Sequence, residues 1–205
     1  MPHEVLDEIL VNNEWRDGEF AKYKVNAANV DEQLWCRMCV PMIYAHWEGF
    51  VVDSFKILLR FLNKLELMVS HLPTNLMVVS LGDCYRSLSG KQSFTQRVDF
   101  TDKFHGLLSG GVRFPSRIDT KSNLKSAVLS EICMMFDFNY RSFSEFFPDI
   151  DRLVNLRNSI AHGENGVVPN MENIRRFIES VQSAMDVLLV LFEDYLLREA
   201  YRLKV

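Results

Sequence analysis

The chain is short of helix breakers: its 205 residues include 9 glycines and 6 prolines, against 15 phenylalanines. Few breakers among many long apolar side chains favour helices. Long uncharged apolar runs are missing as well. The richest window, Val187 to Leu197, is interrupted by Glu193 and Asp194, so no stretch reaches the roughly 18 apolar residues that a membrane span needs. A basic excess is also absent, the formal net charge being −4. That excludes a protein coated with cations for nucleic acid, although a few well-placed cations still suffice for a small local site. Nor does the chain open on a cationic leader, since Met1-Pro2-His3-Glu4 is followed by further acidic groups. A cytoplasmic protein with no membrane partner is expected.

Cysteine is scarce too: Cys36, Cys39, Cys84 and Cys133 are the only four. Cys36-Arg37-Met38-Cys39 has the C-x-x-C spacing. A metal or redox role needs a second ligand pair or a strand-to-helix setting, and neither is visible. Buried thiols on a helix in a reducing cytosol are the simpler reading. His3, His71 and His105 have no histidine or carboxylate partner at metal-ligand spacing. No metal and no cofactor are expected.

What is present is globular in character, with 48% hydrophobic and 24% charged residues and enough chain for one domain with a sizeable core. Residues 1–205 are expected to form that domain, with an N-terminal helix and connector over 1–30 and a bundle core over 31–205. Residues 3–15 read as a short acidic helix and 16–30 as a polar connector. Residues 31–69 form a long apolar-periodic stretch with Asp31 as N-cap. Pro41 should kink or divide it. Beyond it Ile43, Trp47, Phe50, Val51, Phe55, Leu58, Leu59 and Leu62 follow three-and-four spacing, the mark of a core face.

Residues 72–82 fit either a short strand or a helix turn. Helices are expected over 95–109 and 121–137, and a helical turn over 144–147. Pro148 suits the first turn of another helix, which Gly163 and Gly166 stop. Asn170 caps the last helix, whose stripe is Ile174, Phe177, Ile178, Val181, Met185, Leu188, Phe192 and Tyr195. The fold class is therefore all-α, a bundle of five to seven helices with its two long helices antiparallel.

The helix ending at His162 carries the most distinctive residues. At 100° per residue Asn155, Asn158, Ser159 and His162 share a face opposite Leu153, Leu156 and Ile160. Arg157 lies at the edge, where its long side chain can swing over the polar face. One amphipathic helix thus offers an imidazole, a guanidinium and an amide.

Arg157-Asn158-Ser159-Ile160-Ala161-His162 resembles the signature of the HEPN superfamily: Arg, a polar residue, then His after four to six intervening positions. The wider run Leu153 to Glu164, with Gly163 after the histidine, is similar to that family. So are Tyr44-Ala45-His46-Trp47-Glu48-Gly49-Phe50 and Ser122-Asn123-Leu124. These two segments look like the stand-alone HEPN nucleases of prokaryotic defence loci, and the resemblance spans about residues 35–200.

The resemblance implies a HEPN-like helical bundle and metal-independent cleavage of RNA by attack of the ribose 2′-OH. His162 would move protons and Arg157 would hold the phosphate. Asn158 would orient His162 or a phosphate oxygen. It also implies a homodimer whose two motif helices make one composite site. Activity as a toxin or antiviral effector would need restraint by an antitoxin or another defence-locus protein. His46, Glu48 and Tyr44 are accessory candidates. Glu48 either pairs with Arg157 or is satisfied locally, and His46 either lines the site or sits beside a core Trp47. Lys103, Arg113, Arg117 and Lys121 form a locally basic stretch that either guides RNA backbone or is an ordinary solvated loop.

Two other functions compete. One is a non-catalytic HEPN interaction module working with a partner protein, against which the intact Arg157, Asn158 and His162 argue. The other is a DNA nuclease, which lacks the clustered carboxylates of a two-metal mechanism.

Overall fold

The computed structural model describes residues 2–82, 90–166 and 168–203; Cys84 lies outside them. Its helices are α1 (Pro2–Asn13), α2 (Trp15–Val25), α3 (Glu32–Lys64), α4 (Thr74–Leu81), α5 (Phe94–Ser109), α6 (Ser126–Met135), α7 (Phe147–Ala161) and α8 (Met171–Leu197). Among the described residues there is no strand, only an isolated antiparallel bridge between Met68 and Gly111. The all-α expectation holds.

The stretch expected to be a polar connector instead forms α2. Arg16, Phe20 and Tyr23 recur at helical spacing and are buried, while Gly18 and the charged residues around them mask the pattern. Residues 72–82 resolve as the helix α4. The helix expected from 121 starts only at Ser126, because Lys121 and Ser122 both take left-handed backbone, φ 55° and 48°. The turn expected over 144–147 lies earlier, as a 3-10 turn at Tyr140–Phe143.

Asp31 caps α3, accepting a bond from the Leu34 amide at 2.8 Å. The helix passes through Pro41 without dividing. A proline inside a helix costs about 3 kcal/mol or more. Val40 and Ile43 beside it are both fully buried. At about 1.5–3 kcal/mol for each such side chain, packing offsets that cost. The expected α3 stripe is buried along its whole length, as is that of α8. At the far end of the bundle Phe55, Phe136, Phe138 and Phe192 close the core, with Phe55 4.8 Å from Phe136 and 4.9 Å from Phe192 between ring centroids.

Helix directions follow from paired contacts. Glu8 of α1 is ion-paired with Arg60, and Arg16 of α2 with Asp53, so both run against α3. Arg37 of α3 meets Glu164 just past α7, and Tyr44 meets Arg157, so α7 also runs against α3. Asp149 near the start of α7 holds Arg176 and Ser180 of α8, making those two antiparallel. Two reversals restore the original direction. Glu32 accordingly accepts from the Met171 amide at the start of α8, and Phe55 stacks near Phe192 toward its end. The two long helices therefore lie parallel, correcting the antiparallel expectation. The physical reason is α7, which runs against both of them and leads directly into α8.

Candidate active site

Helix α7 is anchored before its motif begins. Asp151 accepts bonds from the Ser126 amide at 2.7 Å and its hydroxyl at 2.6 Å, so α7 caps the start of α6. Its buried residues are Ile150, Leu153 and Val154. Leu156 and Ile160 are only half-buried. The core-facing side is thus rotated from the expected Leu153-Leu156-Ile160 stripe, and Arg157 falls on it.

Arg157 lies half-buried in the seam with α3, its guanidinium carbon 4.5 Å from the Tyr44 ring centroid. Its Nη1 donates to Asn158 Oδ1 at 2.9 Å, and Asn158 Nδ2 donates to Asn123 Oδ1 at 3.1 Å. Tyr44 is itself fixed, for its hydroxyl accepts from the Leu124 amide at 3.1 Å, with Glu48 close by. Burial holds the phenol up to about 12, so it stays neutral.

Glu48 Oε1 accepts from the Thr120 hydroxyl at 2.6 Å. Among the described residues Glu48 reaches Arg157 through Tyr44 and not as a direct ion pair. Asn123 and Thr120 therefore join this hydrogen-bonded cluster; the sequence points to Asn123 only through its segment and gives no role to either side chain. The strained turn at Lys121–Ser122, worth about 1–3 kcal/mol per residue, aims Asn123 at Asn158.

His162 is the C-cap of α7 and is exposed. Gly163 follows with φ 77°, its amide bonding Ile160 O and the Glu164 amide bonding Ser159 O, both at 3.0 Å. This is the Schellman arrangement, which favours glycine at the left-handed position.

His46 does not join this cluster. It sits on the side of α3 facing α2, 4% exposed. Arg16 Nη1 lies 3.4 Å from Nδ1, and Tyr23 Oη lies 3.0 Å from Nε2. A guanidinium only donates, so Nδ1 accepts and Nε2 carries the hydrogen toward Tyr23. His46 is thus a core histidine, and its accessory role at the motif is corrected. Residues 46 and 44 are two apart, which turns them to different sides of one helix.

Burial lowers the His46 pKa, the Arg16 cation lowers it further, and Glu19 opposes both. The unfolded chain then binds the extra proton more readily. Stability is fully present above the ordinary imidazole value of 6.5 and declines as pH falls below it. Urea unfolding at pH 7.5 and 5.5 should show a larger acid loss for the parent than for His46→Gln; equal losses would rule His46 out as the source.

The basic stretch is dispersed. Lys103 lies exposed on α5, which packs on the Val69–His71 turn. Arg113 and Arg117 are exposed, whereas Lys121 is ion-paired with Glu131 at 2.6 Å. Arg117 lines a groove of about 730 Å³ with Val52, Ile118, Thr120 and Ser122. The C-x-x-C cysteines are both buried on α3, and burial pushes the Cys39 thiol up to about 12. That environment suits inert thiols. Among the described residues no helix is long and apolar enough to cross a membrane.

The chain belongs to the HEPN family described as RiboL-PSP-HEPN, whose model matches residues 11–194. Comparison with curated proteins and with solved structures returned no match. HEPN domains are often ribonucleases, which sets the class of activity to consider.

Proposed function

We propose that the protein is a metal-independent endoribonuclease in which Arg157 and His162 from two copies form one site. The observation that carries this reading is the contrast between the two residues: Arg157 is held half-buried on Tyr44, while His162 stands exposed at the helix end. Five residues at 100° each leave them about 140° apart around α7. Such a pair does not focus on one phosphate from a single helix. Two motif helices related by a two-fold axis bring four groups around it.

In the proposed reaction the 2′-oxygen attacks the adjacent phosphorus and the bond to the 5′-oxygen breaks. One imidazole takes the 2′-hydroxyl proton and the other protonates the departing 5′-oxygen, leaving a 2′,3′-cyclic phosphate and a 5′-OH. The Arg157 guanidinium offsets the charge growing on the non-bridging oxygens. Asn158 orients Arg157. Arg113 and Arg117 are proposed to guide the RNA backbone, with Lys103 and Lys121 in lesser roles. A chain with this activity would serve as a toxin or antiviral effector restrained by a partner protein, in the cytoplasm.

The test is incubation with total cellular RNA in excess chelator, followed by mapping of the ends. Cleavage should persist, yield cyclic phosphate and 5′-OH termini, and spare DNA. Activity that chelator abolishes, or 5′-phosphate products, would refute the mechanism.

A further inference from the structure

Arg37 enters the sequence only as a residue between two cysteines. In the structure Cys36 and Cys39 turn into the core, and the Arg37 guanidinium turns toward the end of α7. Its Nη2 donates to Glu164 O at 3.1 Å, joining residues 127 positions apart. Glu164 is the second residue after His162, and its own amide closes the cap of α7 on Ser159. The carbonyl that Arg37 holds is therefore part of the turn that carries His162. Arg37 also precedes Tyr44 by seven residues, about two turns of α3, and so shares its face. That face meets the motif helix twice, under Arg157 and at the turn of His162.

We infer that Arg37 is a positioning residue for His162. Among the described residues the His162 imidazole has no hydrogen-bond partner, so its location depends on the backbone of its turn. Helix ends fray more readily than helix interiors. A guanidinium hydrogen bond from a separate helix limits that freedom. Arg37 and Tyr44 together make α3 the common reference for both motif residues. The kinetic part of this inference rests on the ribonuclease reading, while the structural part does not.

The test uses the full chain with Arg37→Ala and Arg37→Lys. Without RNA, the His162 imidazole resonances, assigned by their loss in His162→Gln, should shift or broaden in Arg37→Ala. The kcat should fall by about tenfold to a hundredfold, the range expected for a misplacement near 1 Å, with KM and its salt dependence unchanged. Arg37→Lys keeps a donor for the carbonyl and should recover most of the loss. Unchanged His162 resonances in Arg37→Ala would overturn the inference. So would a raised KM with kcat intact and a salt slope smaller by about one, the mark of a direct phosphate contact. Loss of cooperative unfolding in both variants would also overturn it, by making Arg37 a fold residue. If the parent cleaves no RNA, the ribonuclease reading fails, and the imidazole resonances still decide whether Arg37 holds the turn.

Discussion

His162→Ala should lower RNA cleavage by about 10²–10⁴-fold, the usual contribution of a positioned acid or base, with little change in folding. The residue is exposed at the end of α7, and substitutions at such positions stay within about 0.5 kcal/mol. Arg157→Ala should lower cleavage by about 10²–10³-fold, as loss of a charge-stabilising donor does. It is less innocent structurally, because Arg157 stacks on Tyr44 and bonds Asn158. Arg157→Lys separates the two effects: it keeps the charge and gives up the planar stack and fork. The double variant should be little worse than the poorer single one, since in the proposed reaction both residues act on one transition state. The measurement is single-turnover cleavage of a mapped RNA site, with unfolding followed alongside. Parent-rate cleavage by either alanine variant ends the ribonuclease reading.

The second large effect is expected at Tyr44, which is 2% exposed. Tyr44→Ala should destabilise the fold by about 3–5 kcal/mol, as loss of a buried aromatic ring does. Tyr44→Phe retains the ring but leaves the Leu124 amide without its acceptor. A cost of about 1–3 kcal/mol follows. Activity should divide differently from stability. The Phe variant still offers a face to Arg157, so its kcat at low temperature should lie near that of the parent. Tyr44→Leu fills much of the space without a π face and should lower kcat by about tenfold. Urea denaturation and steady-state kinetics read the two quantities. Equal kcat values for the Phe and Leu variants would mean that the stack does not position Arg157.

The contrast between these two positions also explains what was legible in the sequence. Long stripes were readable, as on α3 and α8, because many residues repeat one spacing and the core selects them collectively. The Asp31 and Asn170 caps were readable because each acts within four residues. The motif was readable as a spacing but not as an arrangement. Helical spacing puts Arg157 at the edge of a polar face. The ring of Tyr44, 113 positions earlier in the chain, holds it in the seam with α3 by cation–π attraction. Asn123 is legible only as part of the Ser122-Asn123-Leu124 segment, and Thr120 not at all, since their contacts depend on a left-handed turn at two non-glycine residues, which no local pattern announces. Adjacency misled at His46. It stands two residues from Tyr44, and its whole environment comes from α2, itself disguised by a polar sequence. The direction of α8 relative to α3 was invisible for a simpler reason: it depends on how many times the chain reverses between them.

The stack of Arg157 on Tyr44 has a thermodynamic corollary. An arginine side chain surrenders up to about 2 kcal/mol of rotational freedom when it is immobilised. Here that sacrifice is made as the chain folds, against Tyr44 and Asn158. In the proposed reaction a phosphate arriving later would meet a side chain already at rest, so affinity for an incoming anion at this guanidinium would not be reduced by the need to still it.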